Sequence, residues 1–122
     1  MKKSELKNLI QIYSEIKNEI FKKSEIVDLK KGRRVIKINI KPWMYKFPEY
    51  LYLIKENENC VIGEIIKRSI EKGEKDLKIW QTTAVSESTY YRLKKQIIDK
   101  IYNLYILAGD VRLDEILAEK IE

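Results

Sequence analysis

At 122 residues the chain fits one domain and is long enough to bury a single modest core. Hydrophobic residues make up 44% and charged ones 36%, a mix too apolar for a disordered chain and too charged for a membrane protein. A net charge of +6 comes with one cysteine and no histidine, which excludes an internal disulfide, most zinc sites and every histidine-based triad.

Met1-Lys2-Lys3 runs into Glu5, Lys7 and Asn8, so no signal-peptide apolar region is present. Ser4 to Lys23 has the spacing of a helix: Leu6, Leu9, Tyr13, Ile16 and Ile20 recur every three or four residues, and Ser4 is placed to cap the first turn. Such a stripe packs on the rest of a domain or, over two and a half heptads, pairs with a second copy. From Lys22 to Lys46 nine bases face only Glu25 and Asp28, a local charge of +7. Such a band is either a footprint for polyanions or a solvated lysine-rich surface, and charge alone does not choose. Within it Lys31-Gly32-Arg33 is a turn signal, and Ile36, Ile38 and Ile40 alternate with Lys37 and Asn39 up to Lys41-Pro42. A strand follows from that alternation, and with Ile26 to Leu29 it makes a short β-hairpin near 26–40. Trp43, Met44, Tyr45 and Phe47 are expected to anchor a loop to the core rather than to stack on bases.

Pro48 to Lys72 reads as one or two helices, with Glu56-Asn57-Glu58-Asn59 as the break and Gly73 as the stop. Cys60, with no histidine to activate it, is expected in the core or an interface. Asp114 and Glu115, being adjacent, cannot share a helix face, so no acid–base pair is expected there. The chain is read as neither an enzyme nor a holder of any cofactor or metal.

Asp76 to Gly109 carries the informative constellation. A short segment to Thr83 is followed by Ala84-Val85-Ser86 and a long helix that Ser86 caps, with Thr89 at its third position. Tyr90, Leu93, Ile97, Ile101 and Leu104 form its buried stripe, leaving Ser86, Glu87, Ser88, Tyr91, Arg92, Lys94 and Lys95 as the DNA-facing set. A helix-turn-helix needs this arrangement: a tight turn, an apolar residue before the cap, and polar or basic side chains on the first two turns of the second helix. From Ile97 onward the helix is apolar nearly all round, to Ala108, and Asp99, Lys100 and Asn103 interrupt it well short of a bilayer span. A second subunit on Ile98, Tyr102, Tyr105 and Ile106 is the expectation, with coverage by the first and last helices as the rival. Gly109 ends the helix and Asp110 is placed to cap a last one through Leu113, Ile116, Leu117 and Ile121.

The run Ser86 to Tyr102 resembles the end of the ArpU/RinA-like regulators of phage late transcription, and more loosely the second helix of sigma-factor region-four domains. The resemblance covers about residues 60 to 108. It implies that Ile79, Val85, Tyr90 and Leu93 take the apolar positions of the motif; Trp80 and Thr83 depart from the family pattern, which implies a rotated or displaced first helix.

These readings converge on a mainly α single domain, 1–122: an N-terminal helix and basic hairpin (1–59), a helix-turn-helix region (60–109) and a short last helix (110–122). The expected function is DNA-binding transcription regulation of phage or mobile-element late genes, in the cytoplasm and off the membrane. Double-stranded DNA would be held by Ser86 to Lys95 with Arg33 and Arg34 on phosphates; RNA polymerase and a second copy of the chain are the other expected partners. The alternative is a helical protein–protein interaction module that never touches DNA, with a DNA-binding packaging subunit as a third reading.

Overall fold

The computed structural model describes residues 1–121, and side chains through residue 118. It is mainly helical with one short antiparallel hairpin, as expected. Helix α1 (Lys3–Phe21) is followed by strands β1 (Ile26–Lys31) and β2 (Arg34–Asn39), then by a tight 3-10 turn over Pro42–Lys46. Helices α2 (Phe47–Asn57) and α3 (Cys60–Ile65) come next, and α3 runs on as a wider π-type turn over Ile66–Glu71. Helices α4 (Asp76–Thr82), α5 (Glu87–Leu107) and α6 (Leu113–Ile121) complete the chain.

The predicted stripe of α1 is the centre of the core. Leu6, Leu9, Tyr13, Ile16 and Ile20 are all buried, and α1 touches the hairpin, the 3-10 turn, the π-type turn and α5. Its stripe is therefore spent inside the chain and leaves no seam for a coiled coil. Ser4 is not its cap. Lys2 precedes the helix, and the Glu5 carboxylate accepts a hydrogen bond from the Lys2 N–H at 3.0 Å. The hairpin pairs Lys31 with Arg34 around Gly32 and Arg33. Gly32, at φ +62, takes the first central position of the turn, where the right-handed twist of the strands favours glycine. Val27 and Leu29 are buried, whereas every residue of β2 except the half-buried Ile38 is exposed.

The polar run Glu56–Asn59 does break the second helical region, and Asn59 caps α3 by accepting from the Ile62 N–H at 3.0 Å. The aromatic cluster anchors the loop. Phe47 and Trp43 are buried, and the Tyr45 hydroxyl donates to the Ser24 carbonyl at 2.9 Å. Cys60, expected in the core or an interface, is exposed at the start of α3, because the inward stripe begins only at Ile62.

The face of α5 assigned to a second subunit is corrected here. Tyr102 and Tyr105 are buried within the chain itself, and Ile98 and Ile106 are half-buried against the same core. Tyr105 meets Trp43 and Tyr50 edge-on, at 5.5 and 4.7 Å between ring centroids, and donates to the Trp43 carbonyl at 2.8 Å. The physical reason is that α1 and α2 both pack on α5, so one helix needs two apolar sides within one chain. Asp110 is not the cap of α6 either. Its carboxylate holds Lys46 at 2.9 Å, and Arg112 precedes the helix, its N–H donating to Glu115. Of the stripe expected on α6, Ile116 packs against the core, Leu113 and Leu117 are exposed, and the Ile121 side chain lies outside the described residues. No described helix is long and apolar enough to cross a membrane.

Candidate nucleic-acid interface

Helices α3, α4 and α5 span the region where a helix-turn-helix is expected, joined by turns that the sequence sets locally. Gly73, at φ +70, ends the π-type turn. At the second turn, Ser86 stands in extended conformation before α5, and its Oγ accepts from the Thr89 N–H at 3.2 Å. Ile79 and Tyr90 are fully buried, and Val85 and Leu93 pack half-buried beside them. Trp80 is also half-buried against the core. The Thr83 hydroxyl turns back to donate to the Ile79 carbonyl at 2.9 Å, satisfying a carbonyl at the end of α4.

Two polar ties fix this unit. The Arg68 guanidinium grips Glu74 with Nε at 3.0 Å and Nη2 at 3.2 Å, and its Nη1 donates to Thr82 Oγ1 at 2.8 Å. Both partners respond: Arg68 is pushed further up, chiefly by its hydrogen bond to Glu74, and Glu74 is held below the usual carboxylate range by the hydrogen bond from Arg68. The second tie is Asp76 at the start of α4. Its Oδ1 accepts from the Tyr90 hydroxyl at 2.5 Å and from Lys94 Nζ at 2.8 Å. Burial pushes the Asp76 carboxyl up, but the bonds from Lys94 and Tyr90 outweigh it, and its pKa ends lowered. Neither tie has a local sequence signature. Asp76 and Lys94 are eighteen residues apart, on separate helices.

The expected DNA-facing residues therefore divide. Ser86, Glu87, Ser88, Tyr91, Arg92 and Lys95 are exposed, on one continuous stretch of the cap and first turns of α5. Ser86 is occupied as the cap, and Tyr91 lies with its ring 5.2 Å from that of Tyr90, nearly perpendicular. Glu87, Arg92 and Lys95 make no side-chain hydrogen bond or ion pair with the described residues. Lys94 is the correction: it folds back onto Asp76 and binds the two helices together instead of pointing to solvent. Arg33 and Arg34 stand exposed at the hairpin tip, which no hydrogen bond or ion pair links to α5. Lys30 and Lys37 are likewise unpaired, whereas Lys31 is drawn to Glu15 at 3.0 Å. Lys75, just before α4, and Gln81, within it, are exposed and were not anticipated; their only sequence signal is position in or next to the motif.

Among the described residues no group of histidine, cysteine or carboxylate side chains is placed to hold a metal ion. Comparison with models of known families, with curated proteins and with solved structures gave no match.

Proposed function

We propose that the protein binds duplex DNA, with the first turns of α5 in the major groove and the hairpin tip on the flanking phosphate backbone. The observation that carries the reading is the exposed run Glu87, Ser88, Tyr91, Arg92 and Lys95, on a helix whose other side is held by Tyr90 and Lys94. Unpaired cations at the end of a rigid helix keep their reach for base edges and phosphates, and rigidity keeps the ordering cost low. The cations of the hairpin, Lys30, Arg33, Arg34 and Lys37, supply attraction that does not depend on sequence. Taken with the resemblance of α5 to phage late-gene regulators, the protein acts as a transcription regulator, with RNA polymerase and a second copy of the chain as further partners.

The test is a fluorescence-anisotropy titration with the protein's own promoter fragment at two salt concentrations. Binding weakens steeply as salt rises, because each neutralised phosphate releases counterions. If no duplex is bound even at low salt, the protein is instead an adaptor that binds other proteins. The feature favouring that second reading is the number of exposed apolar side chains away from α5's first turns, Tyr52, Leu53, Leu107, Leu113 and Leu117 among them.

A further inference from the structure

Behind the helix-turn-helix lies a cleft of about 490 Å³, walled by α1, the Gly73–Lys75 turn and α5. Its volume is within the range of small-molecule sites. Ile10 and Ile98 supply apolar surface, and Gln11 and Ser69 supply neutral polar groups. Five charged residues line it: Lys7, Glu74, Lys75, Asp76 and Lys94. Both carboxylates are already satisfied within the chain, Glu74 by Arg68 and Asp76 by Tyr90 and Lys94. The Lys7 and Lys75 ammonium groups have no hydrogen bond or ion pair to any described residue. The cleft is therefore left with two uncompensated positive charges beside an apolar wall.

We propose that this cleft binds a small organic anion, a phosphate monoester whose apolar part lies on Ile10 and Ile98 and whose charge is held between Lys7 and Lys75. Lysine suits this role because an ammonium contacts phosphate as a point charge without demanding one geometry. Lys94 lines the same cleft while holding Asp76, so an anion there draws on the cation that ties α5 to α4. Occupancy thus bears on how firmly α5 is seated, and only this regulatory consequence rests on the DNA reading.

The experiment uses the full chain without DNA and phenyl phosphate as the probe, read by amide chemical shifts in NMR. Saturable shifts are expected at Gln11, Gly73, Lys75 and Asp76, and benzyl alcohol, the uncharged comparison, leaves them unmoved. Lys7→Gln with Lys75→Gln weakens binding by about tenfold or more, since each ion-assisted contact contributes more than a neutral one. Both lysines are exposed and unpaired, so the variant keeps its fold, which thermal unfolding verifies. Lys23→Gln with Lys67→Gln, both exposed and outside the cleft lining, leaves the affinity unchanged. Absence of saturable shifts at the cleft overturns the proposal, as does equal weakening by the two lysine pairs or equal binding of benzyl alcohol. A protein that binds the probe but no duplex would retain the site and lose only the DNA reading.

Discussion

Gly73 occupies a left-handed backbone position, and a Cβ built there would stand 2.5 Å from Ser14 Oγ on α1. Gly73→Ala therefore combines backbone strain with a steric push on the central helix. It is expected to cost about 2 kcal/mol, measured by urea unfolding. The Asp76 carboxylate sets a second residue-scale prediction. Its pKa is lowered in the fold, so its stabilising effect is present above the ordinary carboxylate value and is lost as pH falls through the folded one. The stability gap between the wild type and Asp76→Asn should close as pH falls below about 4, the ordinary carboxylate range; a gap that persists there would remove the ionic role. At the alkaline end Tyr13, Tyr90 and Tyr105 all have raised pKa values, for Tyr13 to about 12, and burial is the first cause in each. Stability from these hydroxyls is complete below the ordinary tyrosine value and is lost as pH rises. Their tyrosinate absorbance should appear together with unfolding, not before it.

On the scale of the element, α5 has three kinds of position that substitution separates. Ser86→Ala removes the cap and should cost about 1 kcal/mol of stability. Arg92→Ala touches no internal partner, so the fold stays intact; at a specific site it should lose about 1–3 kcal/mol of binding if its guanidinium is bidentate to guanine. Lys94→Gln should do the reverse, lowering the melting temperature because Asp76 loses its cation. Normal stability for that variant, with weakened DNA binding alone, would return Lys94 to the DNA-facing set. The start of α5, its cap and its buried stripe were legible in the sequence because they depend on residues three or four apart. The role of Lys94 was not, because a lysine on the exposed arc of a helix looks solvated until another element supplies its carboxylate. The hairpin was legible for the same local reason, in the glycine of its turn and the alternation of β2.

For the whole molecule, the sequence shows two apolar sides on α5 and offers either a second subunit or the first and last helices as their cover, without deciding between them. Helix packing is decided by residues far apart in the chain, and the first forty residues give no local sign that α1 crosses to α5. Tyr102→Glu with Ile106→Glu is accordingly expected to unfold the protein, not to yield a folded monomer. Self-association, if the proposed dimer forms, falls to apolar side chains still in water, with Leu107, Leu113 and Leu117 near the C-terminal end the first to test. Leu107→Glu with Leu113→Glu should halve the mass seen by light scattering while leaving the helical signal in place; a wild type already monomeric at micromolar concentration would remove the dimer. The hairpin has a different consequence, one of time. It buries only Val27 and Leu29 and is a two-stranded sheet, an arrangement of marginal stability by itself. Its amides should exchange with solvent deuterium through local opening, well before those of α1 and α5, which wait for global unfolding. The basic band is thus carried on the part of the protein that opens first, and a bound polyanion should be recorded most clearly as slower exchange along β1 and β2.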